Sequence, residues 1–143
     1  MDAQPRSAGG TGLVDRAAVD QRLMFRNTMS ITPGHLEEYR QAIVDAVAFA
    51  EANAPQVMVD VFIDEDRLTA TSFQIYADSD AVLRHWELSD PYIAAVMEHC
   101  TVAAFEVFGN PTEEVRAGFG SMDDMAVTVH PRLVGYLKTR ASR

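Results

Sequence analysis

One stretch, RLMFRNTMSITPGHLEEYRQAI (Arg22–Ile43), constrains the fold more than any other, because its hydrophobic period changes from two residues to between three and four. Alternate residues from Leu23 to Ile31 share one side of a strand predicted over about residues 22–31, and all are apolar except Asn27. An amide among apolar side chains costs about 1–3 kcal/mol unless it is hydrogen-bonded. Asn27 is therefore predicted either to have a structural partner or to face a pocket that binds a ligand.

The residues after this strand predict a helix that ends near Asn53, before Pro55. Thr32 is a suitable N-cap, and Pro33 suits the first helical position. Apolar residues at spacings of three and four predict that one side of the helix packs against a core. They are Leu36, Tyr39, Ile43, Val47 and Ala50.

A hairpin is predicted next, from two strands rich in β-branched and aromatic residues. Its strands are Val57–Ile63 and Leu68–Tyr76, and the acidic turn Asp64-Glu65-Asp66 joins them. This turn lacks the further ligand spacing of a calcium loop and is predicted to be solvated.

The second helix is predicted to begin at Asp78 or Ser79, and Ser89-Asp90-Pro91 is predicted to interrupt it with a fresh cap. The strand Thr101–Phe108 follows and ends at Gly109-Asn110-Pro111. The resulting order, β-α-β-β-α-β, predicts an α+β, ferredoxin-like sandwich.

This order divides the chain into three parts. Residues 1–20 are predicted to be a flexible arm, residues 21–110 the ferredoxin-like domain, and residues 111–143 a C-terminal extension that contacts a dimer partner. Within the extension, the patterns predict a short helix (Thr112–Phe119), a loop (Gly120–Asp124), a strand (Met125–His130) and an extended piece (Arg132–Lys138).

Two strands, VMVDVFI and VAAFEVF, are apolar on much of both faces. Helices on one side of a four-stranded sheet cover that side alone, so the other side needs a partner. A second copy of the same sheet is the simplest partner, and a homodimer is therefore expected. Glu106, inside one of these strands, is predicted to pair with Arg84 or Arg26.

Composition excludes several classes of function. A net charge of −9 argues against non-specific nucleic-acid binding. The single cysteine, Cys100, excludes an intramolecular disulfide, and it is predicted to be unreactive. The N-terminal residues lack an apolar signal segment, and no run is long enough for a membrane helix, so a cytoplasmic protein with no membrane partner is expected. The four histidines form no metal-spaced pair, so no metal site is predicted.

Two segments carry a resemblance to a known family: strand one with TPGHLEEYRQ after it, and FQIYADSDAVLRHWELSDPYIAAV. Through them the chain resembles the antibiotic-biosynthesis monooxygenase family over about residues 22–109. The resemblance implies a dimeric α+β barrel of ferredoxin-like protomers. Members of that family include cofactor-independent oxygenases of quinol or anthrone rings, haem-degrading monooxygenases and proteins without an assigned reaction.

The haem-degrading branch has an Asn on strand one, a Trp on the second helix and a His that binds iron further along that helix. Asn27 in FRNTMSIT and Trp86 in HWELSDPY match the first two positions. Val96 occupies the position of the histidine, and His99 follows three residues later. Haem is therefore doubtful, and the expected reaction uses no cofactor.

The resemblance implies a cofactor-independent monooxygenase that acts on a small electron-rich aromatic or quinol substrate with dioxygen. Asn27 would orient the substrate oxygen, Trp86 would wall the pocket, and Tyr76 or His99 would transfer the proton. Four further residues are predicted to bind substrate: Phe25, Tyr92, Val96 and His85.

Each of these residues also has a purely structural interpretation. Asn27 could bond to the backbone, Trp86 could fill core volume, and Tyr76 could lie at a pocket rim. Two other functions stay open for the whole chain, a haem-binding or haem-degrading protein and a non-catalytic barrel that binds a small ligand.

Overall fold

The computed structural model describes residues 21–120 and 126–138. The predicted arm over residues 1–20 and most of the predicted loop Gly120–Asp124 lie outside the described residues, as does Met125. None of the described helices has the length and apolar character that crossing a bilayer requires.

The order of elements confirms the ferredoxin-like prediction, together with the short helix and the strand predicted in the C-terminal extension. The elements are β1 (Leu23–Ile31), α1 (Leu36–Asn53), β2 (Gln56–Asp64), β3 (Thr69–Tyr76), α2 (Ser79–Met97), β4 (Cys100–Phe108), α3 (Glu113–Gly120) and β5 (Val127–His130). The sheet order is β2-β3-β1-β4-β5, with β1 at the centre between two antiparallel neighbours. β5 extends the sheet by pairing parallel to β4, and residues 131–138 follow without regular secondary structure.

The predicted N-cap of α1 is wrong. The helix begins at Leu36, and Thr32, Pro33 and Gly34 form a turn before it, closed by the His35 amide donating to the Thr32 carbonyl at 2.9 Å. Gly34 has φ +88°, which a right-handed helix cannot contain, so the helix cannot start at Pro33.

The predicted interruption of α2 at Ser89 is also wrong, because the helix is continuous from Ser79 to Met97 with Pro91 inside it. Asp78 caps its first turn by accepting from the Ala81 amide at 2.9 Å. Ser89 does not cap a new helix, since its hydroxyl is buried against the side chain of His85.

Two core clusters lie between the helices and one face of the sheet. The first is mainly aromatic and contains buried residues of β1, β3, β4, α2 and α3, among them Phe25, Tyr76, Phe105 and Phe119. The second lies at the far end of β1 and contains Ile31, Tyr39, Ala70, Val96 and Cys100.

The other face of the sheet is covered by none of the three helices in the described part of the chain. Arg26 and Glu106 are cross-strand neighbours on that face, and the Arg26 Nε donates to a carboxylate oxygen of Glu106 at 2.7 Å. This contact confirms one of the two partners predicted for Glu106. Phe62 and Met24 on the same face are 57% and 38% exposed, and the homodimer expected from the sequence stays a prediction.

Candidate functional site

A row of polar side chains crosses the helix-facing side of the sheet within the aromatic cluster. Asn27 on β1 lies opposite Ser72 on β3, and Phe25 lies opposite Gln74. Because side chains alternate along a strand, Ser72, Gln74 and Tyr76 all point to the same side as Asn27. Gln56, at the start of β2, pairs with Tyr76 and completes the row.

Four members of this row form a hydrogen-bonded chain. The Tyr76 hydroxyl donates to Gln74 Oε1 at 2.6 Å and accepts from Gln56 Nε2 at 3.0 Å. Gln74 Nε2 then donates to the Ser72 hydroxyl at 3.2 Å. Burial raises the pKa of Tyr76 well above its usual value, so its phenol is protonated at neutral pH.

Two oxygens of the row have no hydrogen-bond partner although they are buried: Asn27 Oδ1 and Gln56 Oε1. Asn27 is only 7% exposed, and leaving such an acceptor unpaired costs about 1–3 kcal/mol. The sequence left open a structural partner for Asn27, and the structure gives its oxygen none. The side chain therefore keeps an unused hydrogen-bond acceptor within the aromatic cluster.

His85 and Ser89 add a second polar pair, from α2. Their side chains lie one helical turn apart, and the Ser89 hydroxyl is 3.0 Å from His85 Nδ1. The His85 ring packs against the Tyr76 ring at 5.8 Å between centroids. Burial lowers the pKa of His85 to about 4, so the imidazole is neutral at pH 7.

Aromatic rings wall one side of this polar region. Phe25 contacts Tyr76 at 4.9 Å and Phe105 at 5.3 Å between centroids. Phe119 on α3 lies edge-on to Trp86 at 5.3 Å, and a Cβ on Gly118 would overlap the same Trp86 ring. Trp86 therefore packs against the C-terminal helix, which the sequence pattern did not connect with it.

The structure separates the predicted site residues into two groups. Phe25, Tyr76 and His85 lie together with Asn27 on the polar row and its aromatic wall. Three others lie toward the second cluster: Val96, Tyr92 and His99. His99 immediately precedes Cys100, which pairs with Ile31, four residues along β1 from Asn27 and therefore about 13 Å away along the strand.

The environment of His99 differs from that of the polar row. Its Nδ1 is 3.0 Å from Nδ1 of His35, and it borders a groove between α1 and α2 with a volume of about 460 Å³. Tyr92 lines the same groove and stacks on Phe49 at 4.4 Å. Asn27 and His99 thus lie in different surroundings, about 13 Å apart along the strand, and their place in one site stays a prediction.

Sequence reasoning missed four of the polar residues, namely Gln56, Ser72, Gln74 and Ser89. A signal for two of them exists in TATSFQIY, where Ser72 and Gln74 alternate with apolar residues on the side that carries Tyr76. Ser89 was taken for a helix cap. Cys100 was predicted to be unreactive, and burial raises its pKa to about 11, which disfavours the reactive thiolate.

Comparison with known proteins shows the fold. Neither a protein-family model nor a curated protein matches the chain in sequence. Among solved structures, MupZ from Pseudomonas fluorescens matches with a TM-score of 0.66 at 14% identity, covering 86% of this chain and 95% of its own. The matched part of this chain is longer than the predicted central domain, residues 21–110, so the likeness is not limited to that domain.

Two further structures match the central part of the chain. SnoaB, named a cofactor-independent oxygenase from Streptomyces nogalater, has a TM-score of 0.55 at 17% identity and covers 64% of this chain and 95% of its own. A protein from Caulobacter crescentus named as an antibiotic biosynthesis monooxygenase has a TM-score of 0.57 at 16% identity, over 70% of this chain and 99% of its own. These likenesses confirm the predicted α+β fold and the structural resemblance to antibiotic biosynthesis monooxygenases.

Proposed function

We propose that this protein is a cofactor-independent monooxygenase that acts on an electron-rich aromatic or quinol substrate with dioxygen. The observation that carries the proposal is the buried, unpartnered Oδ1 of Asn27 in an aromatic-walled polar region. A substrate hydroxyl would donate to this oxygen and remove the cost of leaving it unpaired. The name of SnoaB adds support, since a protein of the same fold is called a cofactor-independent oxygenase.

The proposed reaction converts a ring CH₂, such as that of an anthrone or of the keto tautomer of a naphthol or quinol, to a ketone and consumes one dioxygen. Loss of a proton from the substrate gives a delocalised enolate, which passes one electron to dioxygen. The resulting radical pair forms a carbon–oxygen bond, and the peroxide takes up a proton. Loss of water then leaves one oxygen atom in the ketone and the other in water, so substrate-CH₂ plus O₂ gives substrate C=O plus H₂O.

The polar residues would hold the substrate rather than react with it. Asn27 would fix a phenolic or quinol oxygen, and the Tyr76–Gln74–Ser72 chain keeps neighbouring donors and acceptors in place. Phe25 and Phe105 would contact the ring faces, which favours a flat aromatic body. Tyr76 itself would not act as the base, because its raised pKa keeps the phenol protonated.

Haem, the cofactor that the resemblance suggested, does not fit the residues present. Val96, at the ligand position, has no donor atom and is 5% exposed within the second cluster. His99 is 3.0 Å from His35 through their Nδ1 atoms and lies away from Asn27. The proposed reaction therefore contains no step through haem.

Oxygen-electrode assays on a panel of naphthols, anthrones and quinols test the proposal. We expect oxygen uptake with at least one substrate, and a loss of at least about 100-fold for Asn27→Ala, since removing one well-placed polar group costs about 10²–10³ in rate. Asn53→Ala is the matched control, because Asn53 is exposed and bonds only to the Phe49 carbonyl of its own helix among the described residues.

Two results would contradict the proposal. One is the absence of oxygen uptake with every member of the panel while the same compounds raise the melting temperature, which would instead support a non-catalytic binding protein. The other is an Asn27→Ala variant as active as Asn53→Ala.

A further inference from the structure

His85 and Ser89 are arranged as a base and its positioning group. Ser89 is 2% exposed, and among the described residues its hydroxyl has one hydrogen-bond contact, the 3.0 Å contact with His85 Nδ1. Once Nδ1 is engaged by Ser89, the other ring nitrogen, Nε2, is the one left for a substrate.

The path of α2 brings this pair over the polar row. The helix leaves β3 after a short turn and runs back across the sheet, rising about 1.5 Å per residue against about 3.3 Å in the strand. Ser89 lies ten residues after the start of α2, which is about 15 Å along the helix. Ser72 lies four residues before Tyr76, which is about 13 Å back along β3. Ser89 and Ser72 are therefore close to the same level along the sheet. His85 lies between these levels, in contact with the Tyr76 ring.

The surroundings keep the imidazole in its proton-accepting form. The ring contacts the Ser89 hydroxyl from α2 and the Tyr76 ring from β3, and neither of these two groups is charged at neutral pH. Burial alone disfavours the imidazolium, but an enolate formed beside it would stabilise the imidazolium by direct attraction in a low-dielectric environment. Proton transfer is thereby coupled to the presence of an acidic substrate.

We propose that His85 Nε2 accepts the substrate proton, and that Ser89 positions the ring by accepting a hydrogen bond from Nδ1–H. This inference rests on the proposed function and names the substrate class more closely: a flat aromatic with an acidic C–H or O–H and a second oxygen for Asn27. The proton moves from the substrate to Nε2, which leaves an enolate and an imidazolium. The imidazolium returns the same proton to the peroxide, so the base is regenerated and no co-reactant besides dioxygen is used.

Anaerobic binding of dithranol, a dihydroxyanthrone, tests the proton transfer without the oxygen chemistry. Its enolate absorbs at longer wavelength than the neutral form, so the bound enolate fraction can be read directly. We expect the wild-type protein to bind part of the dithranol as enolate at pH 7, and His85→Gln to lower that fraction at least tenfold. His130→Gln is the matched control, because His130 lies on the opposite face of the sheet beside Glu106.

Ser89 is tested as a positioning residue by two variants. Ser89→Ala should lower the enolate fraction three- to tenfold with little change in dithranol affinity. Ser89→Thr keeps a hydroxyl at this position and should give an enolate fraction close to that of the wild type. Nitrogen-15 spectra of the histidine rings provide a further test, since the proposal requires the proton on Nδ1 of His85. A proton on Nε2, or an enolate fraction unchanged in His85→Gln, would overturn the inference.

The outcomes separate this inference from the proposed function. Enolate formation that depends on His85, without oxygen uptake in air, would support the base and contradict the monooxygenase. Oxygen uptake that is unaffected in His85→Gln would support the monooxygenase and overturn the base. If His85→Gln fails to fold, the ring spectra of the wild-type protein and the Ser89 variants still decide.

Discussion

The two core clusters lie between the same helices and the same sheet, but they differ in how many polar side chains they bury. The second cluster, around Ile31, Tyr39 and Val96, is apolar apart from Tyr39 and Cys100, and burial raises the pKa of both groups. The first cluster buries more aromatic surface, yet Asn27 and Ser72 lie beside it, and the Asn27 oxygen has no partner.

This difference indicates which end of the molecule is built for stability and which for binding. An apolar cluster contributes free energy in proportion to the area it buries, about 25 cal/mol per Å². Buried polar groups without partners oppose folding, and proteins retain such costs mainly at functional sites. The polar row would therefore be the functional region, and the second cluster its support.

The largest expected effect is on stability, at the second cluster. Ile31→Ala removes a buried side chain that is 1% exposed, and we expect it to lower the free energy of unfolding by about 3 kcal/mol while leaving the activity of the folded protein unchanged. Urea denaturation measures the first quantity. Val44→Ala, at a side chain 57% exposed on α1, should change stability by less than about 0.5 kcal/mol. An equal loss in both variants would show that this cluster is not a tightly packed core.

The second effect is a pH dependence of the free energy of unfolding, and it arises from His85 beside the first cluster. The folded-state pKa of His85 is about 4, below the ordinary value of 6.5, so the unfolded chain binds a proton more readily over that range. Lowering the pH from 6.5 to 4 should therefore destabilise the fold through His85, with no further loss below about 4.

The His85 contribution is measured by comparing wild type and His85→Gln at pH 7 and pH 4.5. We expect the wild type to lose more stability than the variant, by on the order of 2 kcal/mol once the partial exposure of the ring is allowed for. Identical losses would mean that His85 is solvated, which would also weaken its assignment as a buried base.

A third, smaller effect is expected from a substitution that makes the first cluster apolar, like the second. Asn27→Leu replaces an unpartnered amide by an apolar side chain, and we expect stability to rise by about 1 kcal/mol while oxygen uptake is lost. Thermal unfolding and the oxygen electrode measure the two quantities. A destabilised Asn27→Leu would indicate that the amide has a structural function after all.

The smallest effect on the protomer's own stability is expected on the open face of the sheet. We expect a second copy of the chain to cover this face, so Phe62→Asp should convert a dimer to a monomer in light scattering. Phe62 is 57% exposed, so the protomer itself should change by less than about 0.5 kcal/mol. A wild-type protein that is monomeric at every concentration would contradict the expectation.

Much of the architecture could be predicted from local pattern. The alternation from Leu23 to Ile31, the helical stripe after it and the β-branched hairpin identified three strands and one helix, and the structure confirms them. The second helix and the strand Thr101–Phe108 were also predicted, and both are present. The errors occurred where one residue type serves two purposes. Thr32 and Ser89 both resemble helix caps, but Gly34 delays α1, and Ser89 bonds to His85 inside an unbroken α2.

The candidate site could be predicted only in part. Asn27 was recognisable because a polar residue among alternating apolar ones carries a cost that local sequence already shows. His99 was assigned to the same site as Asn27, and the register of β1 with β4 separates them. Gln56 carried no distinct signal, since isolated polar residues in strands are common, whereas Ser72 and Gln74 alternate with apolar residues on the side of Tyr76.

The sequence by itself determined the periods of the strands and helices, and with them the order of elements and the presence of an amide on a buried face. Tertiary structure decided which polar residues meet: β3 pairs with β1 and β2 at once, and this brings Ser72 beside Asn27 and Tyr76 beside Gln56. It also decided that α3 covers Trp86. The physical reason is that hydrophobic periodicity depends on near neighbours in the chain, whereas strand register and helix packing are set by contacts between residues far apart in sequence.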